Sequence, residues 1–395
     1  MTDLSQQLMK LLQDEADGCF KETEKASYMG QTIAIDASMQ LYQFLVQVRS
    51  SQNGGVSQQL TNENGDVTSH ILGFFHRTIG LLNKGIKPVF VFDGKPPEMK
   101  LGELKKRKAA KQKADEDFQA ASEAIKDADD KEAAIEEANR QSKRTTRVTR
   151  EHNQDIQELL TLMGLPFVLA PSEAEAQCAE MCKKGKVFGV GTEDMDTLTF
   201  GAPILLRKLT LPDSQKQKVV EIHYDKMLSL LGMPRAEFVD LCILSGCDYC
   251  SPIKGIGGKT ALKLIRQHKS IEKVIENLDQ TKHPVPDPLI NDLDAIRAMF
   301  NQPEVTPGED IEIVFGNVKE EELLKFLVDK NGFDEGRVKG SLKRIEMSKS
   351  QTSQRRLDSF FKPKVSENGA VGFNKRKGDG PKRGAGVKRG RGRGR

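Results

Sequence analysis

PSEAEAQCAEMCKKGKVFGVGTEDMD, residues 171–196, carries two carboxylate pairs of the same spacing, Glu173 with Glu175 and Asp194 with Asp196. Each pair follows a short apolar run, 165–170 before the first and 187–190 before the second. Runs of that length, bounded by turn residues, read as buried strands. Acids at the carboxyl ends of strands stand where α/β folds build their sites. Four carboxylates converging there repel one another unless cations neutralise them, and hard divalent ions such as Mg²⁺ prefer carboxylate oxygen.

The same pattern occurs twice upstream. Residues 32–35 read as a strand ending at Asp36, and 37–48 continue as a helix containing Tyr42, Phe44 and Leu45. Residues 88–92, PVFVF, read as a second strand ending at Asp93 and stopped by Gly94-Lys-Pro-Pro. Between them lie the loop SSQNGGVSQQLTNENGDV and a helix over about 69–82. Strands alternating with helices in this way predict an α/β fold.

From 100 to 150 the large apolar residues thin out among Lys, Arg, Glu, Asp and Ala, predicting charged helices with little face to bury. Basic residues cluster at both ends of that segment, KKRK at 105–108 and KRTTR at 143–147. Further on, 218–222 reads as a strand and 235–245 as a helix leading to Asp248. Residues 253–264, IKGIGGKTALKL, then carry the Gly255-x-Gly257 turn and following helix of a helix-hairpin-helix. Such a turn presents backbone N–H groups to a phosphate, with Lys259 beside it. A further strand is expected at 311–315 and a helix at 320–329; beyond 347 the composition predicts disorder.

Composition narrows the class. Residues 375–395 hold ten Lys or Arg and one Asp, a local +9 in a chain whose net charge is +4. An acidic body with a basic tail suits an acidic metal site plus an arm for polyanions. Six cysteines make no disulfide framework; Cys247 and Cys250 flank Asp248 as a CxxC, but no second CxxC or nearby His completes a zinc set. No apolar run approaches the ~18 residues of a membrane span, so a soluble intracellular protein is expected.

Singly, each acid has an ordinary structural use. Ser172 and Glu175 match a capping box, Asp36 and Asp93 suit N-caps, and Asp194 and Asp196 suit turns. Taken together, Asp36, Asp93, Glu173, Glu175, Asp194, Asp196 and Asp248 supply what a two-metal site needs to hydrolyse a phosphodiester.

The ordered motifs IAIDASMQLYQFL (33–45), PVFVFDGKPPE (88–98), APSEAEAQCA (170–179), TEDMDTLTFG (192–201) and VDLCILSGCDYC (239–250) closely resemble the flap endonucleases of the structure-specific 5′ nuclease family, over roughly 28–361. The resemblance implies a central, mostly parallel twisted sheet flanked by helices, a helical arch, a helix-hairpin-helix DNA clamp and a disordered basic tail. It divides the chain into a nuclease region at 1–99, the arch at 100–150, an internal nuclease region at 151–348 with the hairpin at about 240–268, and a tail at 349–395. It implies that the seven acids hold two Mg²⁺ ions, that Lys100 and Arg107 steer the scissile phosphate, and that Tyr42, Arg49, Arg77, Gly255, Gly257 and Lys259 contact DNA.

The implied activity is cleavage of 5′ flaps with associated 5′–3′ exonuclease action, in Okazaki-fragment maturation and long-patch base excision repair. Related alternatives are a 5′–3′ exonuclease and a noncatalytic scaffold of the same fold. Gln354, Leu357, Phe360 and Phe361 fit the box by which this family docks, as a monomer, on the trimeric PCNA sliding clamp. Nucleus is the expected compartment, with mitochondrion a second. Two departures stand out. Leu4 and Gln7 occupy the positions of two N-terminal glycines, which predicts looser site geometry. Pro252 takes the place of a Ser whose hydroxyl helps bind K⁺ at the hairpin.

Overall fold

The structure, a computed structural model, describes residues 3–47, 49–50, 58–59, 61, 67–124, 131–144 and 148–350. In chain order the strands are β1 (Phe20–Thr23), β2 (Thr32–Asp36), β3 (Arg49–Ser50), β4 (Gln58–Gln59), β5 (Lys87–Phe92), β6 (Phe167–Leu169), β7 (Gly189–Gly191), β8 (Ile204–Arg207) and β9 (Val219–His223). The helices that frame the site are α1 (Asp3–Glu15), α2 (Ala37–Gln47), α3 (Ser69–Asn83), α4 (Leu101–Ala124), α5 (Lys131–Arg144), α6 (Arg150–Leu162), α7 (Ala174–Lys183), α8 (Asp196–Thr199), α9 (Tyr224–Leu231), α10 (Arg235–Ser245) and α11 (Gly258–His268).

Seven strands form one sheet in the order β1-β9-β8-β7-β2-β5-β6. β8, β7, β2, β5 and β6 run parallel, while β9 is antiparallel to β8 and β1 antiparallel to β9. From β2 the chain moves outward through β5 to β6, then returns to the other side of β2 as β7. The order therefore reverses between β2 and β7, and a crevice opens at the carboxyl ends of the strands flanking such a reversal. Asp36 closes β2, and 192–196 leave β7, at that point.

Side chains alternate across the sheet, so each strand feeds two cores. Ala34, Val89 and Val91 join one with Leu8, Leu11 and Leu12 of α1 and the buried residues of α7 and α10. Ile33, Ile35, Phe90 and Phe92 join the other with Phe44 of α2, Phe74 of α3 and Ile156 of α6. Burial on both faces explains why the central strands are unbroken apolar runs.

Four local expectations are corrected. The loop after α2 contains a short antiparallel ladder of β3 with β4. Residues 311–315 form no strand. Ile311 is buried and Val314 exposed, and the segment lies along the surface with Gly316 N bonded to Gly164 O, without laddering onto the sheet. The helix at 320–329 is helical over Glu320–Leu324 and widens to a π turn over Lys325–Lys330. The charged helices expected over 100–150 are α4 and α5, which pack on each other as a hairpin with Ala114 and Ala138 buried. Helix also continues past 347, over Glu335–Ser350.

Candidate active site

Five segments bring the acids to the crevice. Asp36 is buried at the end of β2, where its Oδ1 accepts from Met39 N at 3.0 Å and so caps α2. Asp93 follows β5; its Oδ1 accepts from Ala174 N at 2.8 Å, capping α7 rather than a helix that follows it. The capping box expected from Ser172 and Glu175 is not formed. Glu173 is the N-cap residue of α7, with no side-chain cap bond of its own. Asp93 takes the first N–H of the helix, that of Ala174, and Glu175 lies within the field of Asp36, Asp93 and Asp194.

Because Glu173 precedes the helix and Glu175 lies in its first turn, both address one site, which two residues inside a helix would not do. Beyond β7, Asp194 is buried, with Oδ1 accepting from Asp196 N at 3.2 Å, and Thr192 Oγ1 lies 3.4 Å from Asp36 Oδ2. Asp248 arrives from the end of α10.

The acids raise one another's proton affinity. Burial pushes Asp36 up to about 7, helped by the charges of Asp93 and Asp194. Glu175 is held well above the carboxylate range by burial and then by Asp36, Asp93 and Asp194, and Asp196 by burial, Asp194 and Asp248. Asp196 Oδ1 is buried and has no hydrogen-bond partner. Among the described residues no three of these side chains form a closed ligand cage. What they form is a concentration of hard oxygen donors with more negative charge than the local cations offset. That donor set fits Mg²⁺, which binds few carboxylates and retains waters.

The local cations come from the base of the helical hairpin. Lys100 Nζ pairs with Glu173 and, at 3.1 Å, with Asp248. Burial opposes its charge, but Glu175, Glu173 and Asp248 outweigh it and hold the ammonium firmly protonated. Arg107 Nη2 reaches Asp248 Oδ1 at 2.7 Å, and Lys106 Nζ donates to Ser251 Oγ at 2.9 Å. Tyr249 O–H, which sequence reasoning passed over, donates to Glu173; its position directly after Asp248 was the one available signal.

Other expected contacts are distributed around this centre. Tyr42 is exposed on α2, open to a stacking base. Arg77 is used within the body, donating to Thr210 O and lying over the Phe44 ring. Arg49 stands in β3, and nothing of its side chain is described. Gly255 adopts φ +80°, and Gly257 precedes α11. Lys259 is exposed beside them, 2.7 Å from Asp14. Pro252 is exposed, next to the Ser251 hydroxyl. All six cysteines are free, with Cys247 Sγ 3.5 Å from Cys250 Sγ. Gln354, Leu357, Phe360 and Phe361 lie outside the described residues.

The N-terminal helix also enters the site. Ser5 Oγ donates to Asp194 Oδ1 at 2.7 Å and accepts from Met195 N at 2.8 Å. Gln7 Oε1 accepts from Gly258 N at 3.1 Å, so the residue at a glycine position of the resemblance spans to the hairpin.

A strand-end carboxylate cluster faced by cations from a charged helical hairpin, with a phosphate-binding turn alongside, defines a metal-dependent nuclease of the phosphodiester-cleaving kind. Residues 6–114 match the XPG N-terminal domain and 164–248 the XPG I-region. Flap endonuclease 1 of Glycine max is 51% identical over 357 residues, covering 90% of each chain. Flap endonuclease-1 from Methanococcus jannaschii superposes with a TM-score of 0.62 at 30% identity, covering 83% of this chain and 96% of that one. The catalytic core of Rad2 in complex with DNA substrate superposes with a TM-score of 0.65 at 25% identity, covering 85% and 98%. The chain belongs to the flap endonuclease 1 family.

Proposed function

We propose that this chain hydrolyses DNA at 5′ flaps through a site built from Asp36, Asp93, Glu173, Glu175, Asp194, Asp196 and Asp248. The observation that carries the reading is the meeting of acids from five segments at the sheet's reversal point, with Lys100 and Arg107 laid across them from the hairpin base. Two bound Mg²⁺ ions would supply a water ionised near neutral pH and charge stabilisation for the departing oxygen.

The chain's own groups do the rest. The carboxylates fix the ions, and Asp36 and Asp93 are held in place by the helix N–H groups they cap. Lys100 and Arg107 exchange carboxylate partners for the scissile phosphate, orienting it. The Gly255–Gly257 turn and Lys259 grip the duplex backbone without reading bases, while Tyr42 offers a stacking face to an unpaired base. With Pro252 in place of the serine, the adjacent Ser251 hydroxyl is the candidate side-chain oxygen for a K⁺ at the hairpin.

The box at 354–361 is a docking plug for the PCNA clamp, in which a helical turn adopted on docking would put Leu357, Phe360 and Phe361 on one side, with Gln354 as a polar anchor. The arch at 100–150, the two nuclease regions around it and the tail from 349 divide the labour accordingly. A monomer on the trimeric clamp, in the nucleus and secondarily the mitochondrion, would serve Okazaki-fragment maturation and long-patch base excision repair.

The test is incubation with Mg²⁺ and a labelled 5′-flap duplex beside nicked and single-stranded DNA. Flap cleavage that EDTA abolishes is expected, and Asp196→Ala should bind the flap without cutting it. Wild-type protein that binds the flap as Asp196→Ala does and leaves it intact would identify a noncatalytic scaffold. Changing Phe360 and Phe361 to Ala should remove stimulation by the clamp and leave basal cleavage intact.

A further inference from the structure

Ser5 and Gln7 lie two residues apart in α1, about 200° around the helix axis, and each makes a side-chain bond to a different element. Ser5 is buried against the loop after β7, where its hydroxyl bridges the Asp194 carboxylate and the Met195 N–H. Gln7 takes the Gly258 N–H at the start of α11. The first turns of α1 are therefore wedged between the acid loop and the hairpin, while Leu8, Leu11 and Leu12 fix the helix in the core.

Asp194 depends on this contact more than its neighbours do. Asp36 and Asp93 accept helix-start N–H groups at 3.0 and 2.8 Å, whereas Asp194 Oδ1 has a longer such bond, 3.2 Å from Asp196 N at the start of α8, and its shorter one, 2.7 Å, from the Ser5 hydroxyl. The Asp196 N–H lies two residues on in the same segment and so does not tie that segment to another part of the fold. Ser5 is thus the side chain outside the loop that sets where the Asp194 oxygens point.

We propose that Ser5 is a positioning residue for Asp194, bringing its carboxylate to the orientation that divalent-ion binding requires from an N-terminal helix braced on the hairpin through Gln7. The proposal rests on the reading of Asp194 as a metal ligand. Outer hydrogen-bond partners of metal-binding carboxylates commonly change affinity by about 10–100-fold when removed, and a hydroxyl that both donates and accepts is poorly replaced by water in a buried position.

Three proteins separate the possibilities: wild type, Ser5→Ala and Ser5→Thr. Mn²⁺ binding is followed by electron paramagnetic resonance, and flap turnover under single-turnover conditions is measured beside flap affinity in Ca²⁺. Ser5→Ala is expected to weaken Mn²⁺ binding about tenfold and slow the cleavage step, with flap affinity unchanged. Ser5→Thr, which keeps the hydroxyl, should restore both to within about twofold of wild type. Unaltered Mn²⁺ binding in Ser5→Ala overturns the proposal. So does equal weakening in Ser5→Thr, which would make Ser5 a packing residue. Wild-type protein that binds Mn²⁺ but does not cut the flap overturns the proposed function instead, since the Mn²⁺ comparison still reads Ser5 directly.

Discussion

Arg107, in the second turn of α4, donates from Nη2 to Asp248 Oδ1 across 2.7 Å, tying the helical hairpin to an acid that follows α10. Lys100, at the foot of the same helix, pairs with Asp248 and Glu173. On the proposed function the same two side chains would turn from the carboxylates to the scissile phosphate. Lys100→Ala and Arg107→Ala should each slow cleavage about 10–100-fold, with the double variant less than additive because the two share Asp248. Single-turnover rates on a flap duplex check this, and a fully additive double variant would show that the residues act separately.

Asp196 carries a buried oxygen without a partner, close to the charges of Asp194 and Asp248. That arrangement costs folded-state stability and is kept where function needs it. Asp196→Asn should abolish turnover and raise the melting temperature of the metal-free protein, by about 1 kcal/mol of stability. Mg²⁺ should then raise the melting temperature of wild type more than that of the variant. Differential scanning calorimetry in EDTA and in Mg²⁺ measures both, and a destabilised metal-free variant contradicts the account.

The parts of this site that were legible in the sequence are those written locally. An apolar run stopped by an acid marks Asp36 and Asp93 without reference to anything distant, and the Gly255-x-Gly257 turn announces α11. The unreadable parts depend on partners far along the chain. A capping box at Ser172 and Glu175 is a sound local inference, but the helix begins one residue later, with Glu173 as its N-cap, and its first N–H, of Ala174, is taken by Asp93, 81 residues upstream. Ser5 meets Asp194 across 189 residues, and Gln7 meets Gly258 across 251, with nothing in the first turn of α1 to mark either. The misread strand at 311–315 is an apolar run of strand length, yet it ladders onto neither edge strand of the sheet, β1 or β6, and composition does not report which backbone a segment will pair with.

Gly94 joins the ends of β5 and β6, donating to Ser172 O at 2.7 Å. A Cβ there would overlap the carbonyl oxygens of Ala170 and Pro171, which are backbone and have no side-chain freedom to yield. Gly94→Ala should push apart the segments carrying Asp93 and Glu173, costing about 2–3 kcal/mol and most of the cleavage activity. Urea denaturation with a parallel flap assay checks both, and a variant of wild-type stability would mean the two segments are not held this closely.

His152 opens α6 together with Thr149. Thr149 Oγ1 accepts from His152 N, and His152 Nδ1 accepts from Thr149 N, each at 3.2 Å, an arrangement that needs the neutral imidazole. Burial pushes this ring's pKa down to about 4, with His70 stacked beside it and Asp155 pulling the other way. An unfolded histidine titrates near 6.5, so between about 6.5 and 4 the unfolded chain binds the extra proton. Stability from this group is therefore full above pH 6.5 and declines as pH falls toward 4. Solvent screening of the half-exposed ring limits the loss to about 1 kcal/mol. His152→Gln supplies a side-chain oxygen for the same capping box without a titrating group, so its melting temperature should fall less than that of wild type between pH 6.5 and 4. Parallel acid profiles that superimpose would show that the ring is not neutral in the fold.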